Sequence, residues 1–546
     1  MKTLERWDVE DGKFWRETGY RVAMRNLWIS IPNLLCGFSV WLYWGMIAKI
    51  IRRIHLGNPE LFNFTFGNDG NPYADDLAGY SSLLLTLPAV AGLTGATLRI
   101  PNSFMIAICG GRNVKFMTTI LLIIPAIGAG IALQNPDTSF AVLIALAAMS
   151  GIGGGAFASS MSNISFFFPK RMQGLALGLN AGLGNAGVSV MQFLIPWVIT
   201  FGVFGAIGGD SQSFTENEQP TELWVQNAAL IWVPIMAFLA ILAWALMNNL
   251  SQHKFGSTVS AIGKYLWLTF LGLTAGAAGV LLLVTDWGPI PELVKIFLTL
   301  AVSVALTLML LRWCTMRDTQ SKLQNQFAIF RNKHNWVMTW LYTMTFGSFI
   351  GYANAFPMLM DVVFGQVSVG ADGAALPQPI VNVNAPTTAN FIWIGAAVGA
   401  LIRPLGGWLS DKFGGARVTQ WDTWVMVGAT VLAGYFVALA RVSPHPEQYF
   451  VPFLVTFIVL FATTGIGNGS TFRMIPIIFS KEQAGPVLGW TSAIAAYGAY
   501  LIPKIIATQI KAGTPEIALY AFAAYYASCL ALNWWFYARA NAEIKC

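Results

Sequence analysis

The chain has 546 residues, 55% of them apolar and only 10% charged, with a formal net charge of +7. Soluble domains carry about 25% charged residues, so this balance excludes an ordinary soluble domain. It also excludes a nucleic-acid-binding reading of the positive charge, because the lysines and arginines sit in short loops between apolar runs.

The first 26 residues mix both signs of charge, and the apolar run after them is too long for a signal peptide. From there, stretches long enough to cross a hydrocarbon core of roughly 30 Å recur to the end. The predicted spans are 27–51, 79–108, 114–133, 139–168, 172–201, 227–249, 265–285, 293–313, 335–360, 387–410, 420–440, 449–479, 484–510 and 515–538, fourteen in all. Both termini then lie on one side. That side holds 22 lysines and arginines, and the opposite side holds six: Lys49, Arg52, Arg53, Lys295, Arg441 and Lys511. The positive-inside rule places the termini in the cytoplasm. The long opposite loops, 52–78 and 202–226, are acidic and Asn/Gly-rich, as expected of exported segments.

Two parts of the chain repeat each other. Arg99 is followed eleven residues later by Gly110-Gly111, and Arg403 eleven residues later by Gly414-Gly415. Gly151-Ile-Gly-Gly-Gly155 has a counterpart in Gly465-Ile-Gly-Asn-Gly469. Such repeats imply two six-helix halves with a site at their interface near the midplane. The expected organisation is a cytoplasmic segment (1–26), one half (27–250), cytoplasmic loops with an inserted helix pair (251–334), a second half (335–540) and a short tail (541–546). The fold class expected is an all-α polytopic membrane protein.

Eleven residues at 1.5 Å each lift Arg99 and Arg403 roughly 16 Å above the turn, to mid-bilayer. A cation there costs at least ~3 kcal/mol, and snorkelling from that depth is too far. None of the 25 Asp and Glu residues falls in the middle of a predicted span; Asp361 and Asp422 come closest, at span ends. A bound anion is the remaining counter-charge, and the planar guanidinium fork suits a planar oxyanion. Arg473 lies nearer the cytoplasmic face and either joins the site or snorkels; Lys504 reads as snorkelling outward. Polar groups on the fourth span (Ser159, Ser160, Asn163) and the fifth (Asn180, Asn185) either bond other helices or line a wet cavity. Tyr342 and Phe346, at i and i+4, share one face of the ninth span, a spacing that core packing also produces. The five cysteines show no pairing or metal spacing, the four histidines lie in loops or at span ends, and no cofactor ligation is expected.

The segments Trp7-Asp8, Phe14-Trp15-Arg16 and Asn26-Leu-Trp-Ile-Ser-Ile-Pro-Asn33, with Gly154-Gly-Ala-Phe-Ala-Ser-Ser-Met-Ser-Asn-Ile-Ser165 and Gly465-Ile-Gly-Asn-Gly-Ser-Thr-Phe-Arg-Met-Ile-Pro476, resemble the nitrate/nitrite porter family of the major facilitator superfamily. The resemblance implies that Arg99 and Arg403 bind the anion, that Phe157 and Phe346 lie above and below it, and that Tyr342 bonds nearby. It maps the polar residue of the fifth span onto Asn185; Ser160, Asn163, Asn468 and Arg473 complete the candidate set. Two departures are the inserted pair and Ala156, where Asn would be expected.

The expected function is therefore a multi-pass transporter of the bacterial inner membrane, not an enzyme, whose partners are nitrate, nitrite and the lipid bilayer and which binds no nucleic acid. Exchange of nitrate for nitrite leads. Nitrate–proton symport and, in another class, a non-transporting receptor or subunit are the alternatives. Oligomeric state is not legible.

Overall fold

The computed structural model describes residues 3–64, 76–216, 218–251, 256–315, 320, 328–370 and 372–546. Lys2, Lys254, Arg317 and Lys322, counted above on the side of the termini, and His253 lie outside them.

Apolar runs of this length cannot leave backbone groups unbonded in lipid, so they form helices. Twelve helices among the described residues are long and apolar enough to cross a membrane. These are α1 (Gly12–Gly57), α2 (Leu77–Cys109), α3 (Gly111–Gln134), α4 (Phe140–Phe167), α6 (Asn227–Leu246), α7 (Thr258–Val284), α8 (Glu292–Trp313), α10 (Thr388–Phe413), α11 (Gly415–Arg441), α12 (Pro446–Ile478), α13 (Pro486–Lys511) and α14 (Pro515–Ala538). Two more polar helical runs complete the order. The first, α5, joins Lys170–Asn185 to Gly187–Val198; the second, α9, joins Lys333–Tyr342 and Ser348–Phe364 through a π-helical turn at Thr343–Gly347.

Some boundaries differ from expectation. Helix α1 starts at Gly12 rather than near residue 27, because Asp11 caps it by accepting from the Lys13 and Phe14 amides. Helix α11 starts at Gly415 rather than 420. The chain also holds short strands: Thr3–Leu4 pairs with Asn249–Leu250, and two hairpins form at Gln212–Glu216/Gln219–Leu223 and Gln366–Val369/Ala375–Val381. The tail docks back on the bundle. The Cys546 carbonyl accepts from the Ala416 amide, and the Lys333 hydrogen bond holds the Glu543 carboxyl below the usual carboxylate range.

The sequence repeat is a backbone repeat. Gly110 and Gly414, each eleven residues after its arginine, both turn through positive φ, 80° and 90°, which a side chain would resist. The glycine-rich signatures serve close helix approach: a Cβ on Gly153 would meet the Gly37 carbonyl of α1, and one on Gly469 would meet the Arg403 carbonyl of α10.

Helices α7 and α8 pack beside the N-terminal and C-terminal sets at once. Gly272 and Gly276 of α7 lie against Leu98 and Thr94 of α2. From α13, Tyr500 donates to the Ile296 carbonyl of α8 and Lys504 Nζ lies 3.2 Å from Glu292. Lys504 is therefore paired rather than snorkelling, because α8 brings an acid to it. Large apolar side chains such as Phe238, Phe270, Leu281 and Trp424 stay exposed on the outer helices, as lipid contact requires.

Candidate functional site

Arg99 is fully buried on α2. Its Nε donates to the Gly154 carbonyl at 3.0 Å and its Nη1 to the Ser492 carbonyl at 3.2 Å, tying α2 to α4 and to the C-terminal helices. Arg403, 7% exposed, donates from Nε only to the Gly399 carbonyl of its own helix, at 3.3 Å. The Nη2 of each arginine is buried without a partner among the described residues. Neither guanidinium comes within salt-bridge distance of a described carboxylate; the arginines that do are Arg6, Arg53, Arg441 and Arg473.

Aromatic rings supply what compensation there is. The Cζ of Arg99 lies 4.9 Å from the Phe157 ring, 5.0 Å from Phe346 and 5.4 Å from Trp41. The Cζ of Arg403 lies 5.8 Å from the same Phe346 ring and 4.6 Å from Phe349. Desolvated contacts of this kind contribute about 2 kcal/mol each, which softens the cost of a buried cation but leaves the Nη2 donors unmade. Phe346 belongs to the π-helical turn of α9, a distortion common at functional sites. Its ring stacks on Tyr342 at 5.7 Å and 17°, and Asn468 Nδ2 donates to the Tyr342 hydroxyl at 3.4 Å.

The structure thus gathers Arg99, Arg403, Phe157, Tyr342, Phe346 and Asn468. Asn185 is buried, with Nδ2 on the Ala181 carbonyl and Oδ1 unpartnered among the described residues. Three candidates have partners or neighbours of their own. Ser160 shares a network with Ser30 and Asn180, about 9 Å along α4 from the Gly154 carbonyl that Arg99 grips and about 4.5 Å from Phe157. Asn163, about 13 Å along, abuts Gly111 at the turn. Arg473 pairs with Asp411 of α10 near the face that carries the termini, which settles its environment as an ion pair.

Sequence reading misses Trp41, Phe349 and Asp422. Trp41 carries no spacing signal, whereas Phe349 follows Phe346 by three residues and so shares its face. Asp422 corrects the expectation that no acid sits inside a span: α11 begins five residues early, so this carboxyl lies about 10 Å into the helix, 6% exposed. Its Oδ2 has no hydrogen-bond partner among the described residues and abuts Gly467 of the second signature.

No family model matches the chain. A probable nitrate/nitrite antiporter, NarK2 of Thermus thermophilus, is 34% identical over 542 residues, spanning 99% of this chain and 97% of that one. The nitrate/nitrite transporter NarU of Escherichia coli is 32% identical over 565 residues, with 99% and 97% covered. Among solved structures, the major facilitator superfamily proton:xylose symporter XylE superposes with a TM-score of 0.57 at 13% identity, over 94% of this chain and 96% of that one, a likeness of fold alone.

Proposed function

Because the chain belongs to the nitrate/nitrite porter family of the major facilitator superfamily, we propose that it is a nitrate/nitrite antiporter, importing nitrate and exporting nitrite by alternating access. The observation that carries this reading is the pair Arg99 and Arg403, two buried guanidiniums against one Phe346 ring, each, among the described residues, with an unpartnered Nη2 and no carboxylate within salt-bridge distance. Their distances of 5.0 and 5.8 Å to that one ring put the two charges no more than about 11 Å apart, where at an effective dielectric constant of about 20 they repel by at least about 1.5 kcal/mol. A monovalent anion between them offsets that repulsion and the unmet desolvation, so the loaded carrier reorients and the empty one resists.

In this reading the chain makes fourteen crossings. Residues 27–250 and 335–540 form two six-helix halves, 251–334 carry the inserted pair α7–α8, and both termini are cytoplasmic in a bacterial inner membrane. The resemblance to NarK2 and NarU over nearly the whole chain supports the substrate pair. The test is counterflow in proteoliposomes. Nitrate uptake should require nitrite or nitrate inside and should be lost in both Arg99→Lys and Arg403→Lys.

A second reading, nitrate–proton symport, draws on Asp422. Symport needs a group that takes and gives a proton along the path, and a buried carboxyl whose Oδ2 has no donor among the described residues, beside a signature glycine, is of that type.

A further inference from the structure

The last turns of α1 carry three cations, and two of them have acids. Lys49 Nζ lies 3.1 Å from Asp361 of α9 and also donates to Thr388 of α10, whose hydroxyl donates to the same Asp361 oxygen at 2.7 Å. Arg53 makes a two-pronged contact with Glu216 of the first hairpin. Arg52, between them, is 3% exposed, and among the described residues its one hydrogen bond is to the Ser81 hydroxyl, 2.8 Å from its Nε. Among the described residues its Nη2 is buried without a partner and no carboxylate is within salt-bridge distance, Asp361 acting on it from farther off. Like Arg99 and Arg403, Arg52 has a donor to spare; unlike them it faces a carboxylate, that of Asp361, beyond contact distance.

Lys49 and Arg52 are three residues apart and share a helix face, the face turned toward Asp361. Around them this end of the bundle is closed. A Cβ on Gly45 would meet the Asn354 carbonyl, one on Gly92 would meet the Ala499 backbone, and Asn354 Nδ2 bridges the Pro88 and Ala499 carbonyls.

We propose that Arg52 and Lys49 form an outer subsite for a small monovalent oxyanion, filled when the Lys49–Asp361 contact opens; this rests on the anion-transport reading above. In the closed state Asp361 occupies Lys49. When the helices carrying Asp361 and Thr388 swing away, Lys49 and Arg52 both lose the carboxylate they face, and an arriving anion replaces it. Opening of the gate and capture of substrate are then one exchange of counter-charges. The same step disfavours an open, empty gate, because it leaves two buried cations uncompensated.

The test uses the full-length protein in proteoliposomes of uniform orientation, loaded with nitrite, with nitrate as the probe on one face at a time. Arg52→Gln should raise the KM for nitrate at the outer face by about tenfold, the loss of one charge-assisted contact, and leave the inner-face KM within about twofold. Asp361→Asn, which spares both cations, should lower the outer-face KM. Equal KM changes on both faces in Arg52→Gln, or an unchanged outer KM in both variants, overturns the subsite. Failure of the transport reading is seen separately, as no nitrate flux through the unaltered protein, and that result removes the subsite with it.

Discussion

The Phe346 ring lies 5.7 Å from that of Phe157, with the two planes 25° apart. Carbon contacts are best at 3.5–4.0 Å, so a planar anion layered between two rings needs about 7 Å. The rings must part by more than an ångström to admit it, which a shift of α4 against α9 provides. Together with Arg99, which touches both rings, this stack links occupancy of the site to the relative position of two helices. Phe346→Leu should then cut transport at least tenfold while lowering Tm by only a few degrees. A thermal melt beside a flux assay checks it; a ring that serves packing alone gives a large loss of Tm and normal flux from the surviving protein.

Charge without geometry should not suffice at the arginines. Lysine keeps the positive charge but loses the planar fork and the donor that Arg99 places on Gly154. Arg99→Lys and Arg403→Lys should each weaken nitrate binding by at least tenfold, measured by ligand-induced thermal shift, with insertion and yield unchanged.

Lys504 and Glu292 tie α8 to α13, with the lysine side chain 10% exposed and the glutamate 38%. Removing the acid leaves a buried ammonium alone, whereas an apolar chain of similar length needs no partner. Glu292→Gln should cost about 1–2 kcal/mol of stability. Lys504→Met should be close to neutral, and denaturation of the two variants side by side decides.

Much of the centre is legible in the sequence, and the reason is local. Arg99 and Arg403 stand out because a cation at mid-span is costly, and their distance to Gly110 and Gly414 is fixed by helical rise and a positive-φ turn. Tyr342 and Phe346 follow from helical spacing, though the π-helical turn that aims them does not. The partners that other residues find depend on contacts between distant segments. Ser160 meets Ser30 and Asn180, Arg473 meets Asp411, and Lys504 meets Glu292, and no periodicity records such meetings. Asp422 is missed for a simpler reason: a helix start taken five residues late turns a buried acid into an interfacial one.

Asp422 separates the two transport readings. Asparagine is nearly isosteric and carries no charge to strand in a site without donors, so Asp422→Asn should fold with an unchanged or higher Tm. Under exchange it should leave nitrate–nitrite counterflow within about twofold. Under symport it should remove uptake driven by a proton gradient.

The central claim is that an anion must occupy the two-arginine site for the carrier to reorient. The direct measurement is uptake of labelled nitrate into vesicles that hold nitrite, hold nitrate, or hold neither anion while a proton gradient is imposed. The account predicts rapid uptake in the first two, at a rate indifferent to membrane potential because one monovalent anion leaves for each that enters, and little uptake in the third. Robust uptake into the anion-free vesicles, accompanied by acidification inside, would contradict it.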